Sequence, residues 1–316
     1  MTRTIVGLEA PSPIMNGAGI IKTMEDFEKL IDIPEIGVLN VGSITKDKRE
    51  GNPGDTFYDG NGFTLNTLGL PNRGLRYYEE HLPRMVEKAH DKGKLLMLSI
   101  VGFDEGDLAL LADMADNAGV DLIEINGGCP NIWSPDRFGA IKQKPILSFT
   151  GEGLMYAFNE ATKTLRKAKV GIKLSPFTDP VNLEKTINGL MLLGKRTDTQ
   201  TPLSFITSTN TIPNCSFTKE NEEQVITPNN GFAGMGGGNL FPFSYGNVRQ
   251  ICNQLMKGKD IEVFACGGIT NGVRAHAMMK AGATGVQIMS AYYRTGDRSV
   301  FPTIAAELYE LEMTLQ

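Results

Sequence analysis

Cys129 is the first residue at which chemistry becomes readable. It stands in Asn126-Gly127-Gly128-Cys129-Pro130-Asn131, a thiol flanked by carboxamides just past an apolar run at 121–125. Adjacent glycines let the backbone turn sharply and approach a ligand, and Pro130 fixes the exit from the turn. A lone cysteine is ordinarily a small buried hydrophobe. After a strand and a glycine turn, the thiol could instead lose its proton and act as a general base. No histidine lies nearby in sequence to complete a hydrolase-type dyad, which disfavours acyl transfer.

Asn66, Asn126, Asn131 and Asn210 each follow an expected strand or lie in the loop after one. Loop asparagines mostly serve turns. Four that converge could grip a planar, polar, amide-bearing substrate through paired donors and acceptors. Lys173 ends an apolar strand, where burial is costly without a partner. It either snorkels to the rim or holds its cation against an anionic cofactor or substrate. Cys266-Gly267-Gly268-Ile269 follows the seventh expected strand, and 287–291 ends the eighth. Loops in those places commonly build a phosphate site from backbone N–H groups. That suggests a phosphorylated cofactor. The missing dinucleotide fingerprint favours flavin mononucleotide, FMN.

These residues need a scaffold that brings strand ends together. Expected strands lie at 13–15, 37–41, 95–101, 121–125, 170–174, 203–207, 261–265 and 285–289. Expected helices run from a Thr23 cap through Leu30, then at 74–92, 108–118, 153–168, 181–193, 245–256, 273–281 and 304–315. About eight βα units make an α/β fold, a (β/α)8 TIM barrel. A doubly wound open sheet usually has fewer strands and an early glycine-rich nucleotide turn. Long loops at 42–72, 129–145 and 210–239 all follow strands and would gather on the C-terminal face, where such barrels keep their chemistry. No linker or repeat divides the chain, so one domain over 1–316 is expected.

The net charge of −5 and the absence of a Lys/Arg cluster argue against nucleic acid. No signal peptide and no membrane-spanning run are readable. Cys129, Cys215, Cys252 and Cys266 form no CxxC pair, so no metal site is expected and reduced thiols in the cytoplasm are.

The motifs KREGNPG (48–54), NTLGLPN (66–72), NGGCPN (126–131), GIKLSP (171–176), NGFAGMGG (230–237) and CGGI (266–269) together carry a resemblance over almost the whole chain. The sequence resembles the dihydroorotate dehydrogenases, nearest the soluble, homodimeric, fumarate-linked class 1A. The resemblance implies that Cys129 removes a C5 proton from dihydroorotate while the C6 hydride passes to FMN. Asn66, Asn126, Asn131, Asn210 and Thr211, with the backbone of Gly69 and Leu70, would hold the substrate. Ala18, Gly19, Gly42, Ser43, Asn126 and Lys173 would bind the cofactor on one side. Gly236, Gly237, Cys266, Gly267, Gly268, Met289 and Ser290 would do so on the other. Lys173 would stabilise the reduced, anionic ring, and the loop carrying Cys129 would act as a lid.

The quinone-linked class has serine at the position of Cys129 and an N-terminal helical extension, and neither is found here. The NAD-linked class differs after strand six. Fumarate is therefore the expected acceptor. One departure stands out. Class 1A carries a lysine just after the second strand, where ungapped alignment puts Gly42. The quinone-linked class supplies its lysine three residues beyond the Ala-Gly pair, which is Lys22 here, and Lys22 becomes a second expected catalytic residue. Leu68, Thr207 and Met289 replace a usual methionine, asparagine and glycine, and Pro213 and Cys215 flank Asn214 where glycines are usual. These changes leave open a related FMN oxidoreductase acting on another dihydropyrimidine or small carboxylate. They also leave open a flavin-binding protein that has lost its catalytic role, which the retention of Cys129 and the four asparagines opposes.

Overall fold

The apolar runs pair side by side as parallel strands and close into an eight-stranded barrel in sequence order. The structure is a computed structural model describing residues 2–135, 141–194, 201–258 and 260–314. The strands are β1 (Ile14–Asn16), β2 (Ile36–Ile44), β3 (Leu95–Ile100), β4 (Leu122–Asn126), β5 (Lys169–Leu174), β6 (Leu203–Ser208), β7 (Glu262–Cys266) and β8 (Gly285–Ile288). Buried on both faces, they read as apolar runs rather than alternating ones, as strands of an all-parallel sheet do. The helices are α1 (Met24–Leu30), α2 (Leu75–Asp91), α3 (Asp107–Asn117), α4 (Gly151–Ala161), α5 (Pro180–Gly194), α6 (Phe241–Gln250), α7 (Gly272–Lys280) and α8 (Val300–Thr314). Thr23 caps α1 in a reciprocal capping box with Asp26, as the sequence suggested.

Inside the barrel, side chains stack in layers. The layer at the amino ends of the strands is apolar: Met15, Val38, Met97, Leu122, Phe205 and Phe264 cluster there with Ile5 and Ala10 of an N-terminal hairpin. The Phe205 and Phe264 rings stack at 4.6 Å. Gly171 makes room for them, since a Cβ there would lie 2.2 Å from the Phe205 ring. Farther along the strands, Glu124 and Thr207 are buried in contact with each other. They stand two residues beyond Leu122 and Phe205, so the period of a strand puts them on the same inward face.

Several expected boundaries move. The helix expected over 153–168 ends at Ala161, because the Asp116 carboxylate accepts the backbone N–H groups of Arg166, Lys167 and Ala168 and holds them as a turn into β5. The helix expected at 245 starts at Phe241, with Pro242 in the first turn where its missing N–H costs nothing. It runs on into a π-helical turn, Ile251–Leu255. The larger correction concerns the loops at 42–72 and 210–239. Strands Phe57–Asp59, Thr64–Asn66, Ile212–Cys215 and Ala233–Gly236 join into one four-stranded antiparallel sheet. Each is too short for a periodic signal, and the pairing spans more than 150 residues of sequence, as Gly234 beside Asn66 illustrates. The tip of the loop expected to be a lid, 136–140, lies outside the described residues.

Candidate active site

The antiparallel sheet and the carboxyl ends of the barrel strands enclose a cleft in which polar side chains and glycine backbone stand among apolar side chains such as Phe57, Leu240 and Ile269. Lys22 and Ser43 reach it from the first two strand ends, Asn126, Cys129 and Asn131 from the fourth, and Lys173 from the fifth. Asn210 and Thr211 enter after β6, Cys266, Gly267 and Gly268 after β7, and Met289 and Ser290 after β8. Ala18, Gly19, Asn66, Gly69, Leu70, Gly236 and Gly237 also line the cleft. Gly42 is the exception. It braces the loop before α1 instead of lining the cleft: its N–H donates to Ile21 O at 2.8 Å and its carbonyl accepts from Gly19 N–H at 2.5 Å. A side chain has no space there, because a Cβ on Gly42 would lie 2.4 Å from the Ser99 carbonyl.

The four asparagines form two pairs. Asn131 Nδ2 donates to Asn66 Oδ1 at 2.8 Å, and Asn210 Nδ2 donates to Asn126 Oδ1 at 3.0 Å. Asn126 Nδ2 in turn donates to Ser43 Oγ at 2.8 Å, which bonds Ser99 Oγ at 2.9 Å. Asn210 Oδ1 accepts the Thr211 N–H at 2.7 Å. Carboxamides held this way present fixed donors and acceptors and lose little freedom when a ligand arrives. The other motif residues act one layer back. Arg49 Nε donates to Gly69 O at 3.0 Å, and Asn52 N–H to Leu68 O at 2.9 Å, which folds KREGNPG against NTLGLPN.

Cys129 is partly exposed to the cleft. Burial pushes its thiol up to about 11, against smaller opposing effects of the Asn131 N–H, Arg49 and Lys173. Lys22 lies in the cleft wall, and among the described residues no hydrogen bond or ion pair holds its ammonium. Its own N–H is tied to Asp26 Oδ2 at 3.1 Å, and its carbonyl accepts from Tyr78 Oη at 2.8 Å, so the stem is anchored. Burial lowers the Lys22 ammonium to about 8, with Asp26 partly compensating.

At one end of the cleft the wall is glycine backbone. The Gly267-Gly268 turn has φ of +114° and +72°, and a Cβ on Gly268 would meet Phe241 N at 2.5 Å, so only glycine fits. Arg274 Nη1 ties this turn to the next one, donating to Gly268 O at 2.7 Å and Gly238 O at 2.9 Å. Elsewhere in the lining stands the Lys173 ammonium. Burial pulls it down, but Cys266, Glu124 and Cys129 more than offset this and hold it above the ordinary lysine value. Side-chain-free turns together with a buried cation suit a cofactor that has an anionic tail and a ring that takes on negative charge. A flavin nucleotide has both.

Two residues beside Lys173 escaped the sequence reading. Lys173 Nζ donates to Gln287 Oε1 at 2.8 Å and lies 3.9 Å from Glu124 Oε1. Both are polar residues within apolar strands, the signal that singled out Lys173. Phe57 and Tyr293, also in the lining, meet edge to face at 5.1 Å between centroids.

A family model described as dihydroorotate dehydrogenase matches residues 1–311. The chain is 31% identical over 312 residues to dihydroorotate dehydrogenase A (fumarate) of Lactococcus lactis subsp. lactis, covering 98% of this chain and 93% of that protein. It is 28% identical over 303 residues to dihydroorotate dehydrogenase (fumarate) of Lachancea kluyveri, covering 95% of this chain and 89% of that one. The crystal structure of DHODH from Eimeria tenella in complex with ferulenol matches with a TM-score of 0.76 over 99% of this chain and 85% of that one. At 20% identity that likeness establishes the fold.

Proposed function

Because the chain belongs to the dihydroorotate dehydrogenase family, we propose that it oxidises dihydroorotate to orotate in pyrimidine biosynthesis, with FMN as its flavin and fumarate as electron acceptor. The observation that carries this reading is the pairing of four asparagines in the cleft that holds Cys129 and Lys173. A dihydropyrimidine ring edge alternates N–H donors and carbonyl acceptors, which carboxamides match from both sides.

Asn66, Asn131, Asn126 and Asn210 orient the ring so that C5 faces Cys129. Cys129 acts in its thiolate form: it first gives up its own proton to solvent, and Sγ then takes the C5 proton. The Lys22 ammonium pairs with the substrate carboxylate, a charge that is costly to desolvate without a partner. Gly236, Gly237, Gly267, Gly268 and Ser290 would hold the phosphate end of FMN, and Lys173 would offset negative charge on its ring. Bound FMN supplies the acceptor for the C6 hydride. The homodimer and the cytoplasmic setting implied by the resemblance belong to the same reading. A second reading, a related FMN oxidoreductase for another dihydropyrimidine or small carboxylate, draws on Gly42, which stands where the resemblance would put a lysine.

The purified protein, stripped and titrated with FMN, should bind about one flavin per chain. Added orotate should then shift the flavin absorbance with saturation. Binding of FMN with no response to orotate would support the second reading over the first.

A further inference from the structure

Glu124 is fully buried in the barrel interior, two residues before Asn126 on β4. Its Oε2 accepts from Thr207 Oγ1 and from Gln287 Nε2, each at 2.8 Å. Its Oε1 has no hydrogen-bond partner among the described residues and lies 3.9 Å from Lys173 Nζ. The Gln287 amide spans the two charges, donating to Glu124 through its nitrogen and accepting from Lys173 through its oxygen at 2.8 Å. Lys173 and Gln287 both line the cleft, whereas Glu124 does not.

A buried carboxylate without a cation would be expelled or neutralised. Burial pushes both thiols near Lys173, Cys129 and Cys266, up and so toward their neutral forms. That leaves Glu124 as the formal counter-charge to Lys173. In a low-dielectric interior such a charge acts strongly on its neighbour. The amide bridge also fixes which way the ammonium leans. Held by Gln287 it faces the cleft, and released from Gln287 it has the vacant Glu124 Oε1 within reach.

We infer that Glu124 is a positioning residue that, through Gln287, aims Lys173 at the cleft and offsets part of its charge, so setting how strongly a bound flavin favours its reduced form. This rests on the FMN reading above. The two components have opposite consequences. Removing the carboxylate leaves the Lys173 cation uncompensated and favours the anionic reduced ring. Removing the bridge lets Lys173 swing toward Glu124 and disfavours it.

The test is the two-electron potential of the FMN-loaded protein, measured by equilibration with redox dyes. Glu124→Gln should raise the equilibrium constant for reduction at least tenfold, about 30 mV for a two-electron couple. Gln287→Met, which keeps both charges, should lower it at least threefold. If Glu124→Gln fails to fold, the sign of the Gln287→Met shift still decides. Potentials within threefold of wild type, or a shift of both variants in the same direction, would overturn the inference and leave the network a structural one. A wild-type chain that does not hold FMN would overturn the flavin reading and this inference with it.

Discussion

Asn131 Nδ2 donates to Asn66 Oδ1 at 2.8 Å, joining two loops that lie 65 residues apart in sequence. Each carboxamide holds the other in a ligand-ready orientation, so the two act as a unit. Removing either leaves its partner unfixed and a ligand group unpaired, at roughly 1–3 kcal/mol. Asn66→Ala and Asn131→Ala should each weaken orotate binding by about tenfold or more. The double variant should lose less than the sum of the two, as coupled residues do. Titration of flavin absorbance with orotate measures this, and full additivity would count against a coupled pair.

The thiol of Cys129 sits at about 11, raised by burial. A base works in its deprotonated form, so the active fraction grows as pH rises toward that value. Flavin bleaching by dihydroorotate should therefore accelerate by up to about tenfold per pH unit through the neutral range. Cys129→Ser should retain flavin and orotate binding but bleach far more slowly, because the higher pKa of a hydroxyl leaves far less of it deprotonated at the same pH. Stopped-flow absorbance reads both, and a serine variant at the wild-type rate would remove Cys129 from the mechanism.

Lys22 is the cation in the cleft wall that no carboxylate of the described residues holds, and burial lowers it to about 8. Below that pH the ammonium is charged and attracts an anion. Above it the group is neutral and the attraction is lost. Orotate affinity should fall as pH rises through about 8, by at most about tenfold per unit for one proton. Lys22→Met should bind orotate weakly at every pH, with the step near 8 abolished. A step that survives in Lys22→Met would assign the titration to another group.

At Gly171 the Phe205 ring lies 2.2 Å from where a Cβ would stand. Phe205 is itself stacked on Phe264, so it has little room to retreat. Gly171→Ala should destabilise the fold by about 1–3 kcal/mol, the usual scale of overpacking. Urea unfolding would show a lower midpoint with an unchanged slope. An unchanged midpoint would mean that the ring moves aside freely.

The barrel strands were legible because each is an uninterrupted apolar run buried on both sides, such as Leu95–Ile100. Asn126 and Cys129 were legible because polar residues at or just past the end of such a run need a reason to be there, and Lys173 because it interrupts one. The four-stranded sheet over the mouth was not legible. Its strands are three or four residues long and find partners far away in sequence, so no local period marks them. Glu124 and Gln287 carried the same signal as Lys173, a polar residue inside an apolar strand. Their connection to it depends on which strand faces which across the barrel, and sequence spacing does not contain that. Gly42 was expected as a cofactor contact from the alignment that the resemblance implies. The hydrogen bonds of its peptide groups to Gly19 and Ile21 make it a brace instead.

Oxidation of dihydroorotate by this protein can be read from the colour of its flavin. The FMN-loaded protein is titrated with dihydroorotate under anaerobic conditions while the yellow absorbance of the flavin is followed, and fumarate is then added. Bleaching with stoichiometric formation of orotate is expected, followed by recovery of the colour on fumarate. A flavin that stays yellow in excess dihydroorotate, while binding orotate or not, would contradict it.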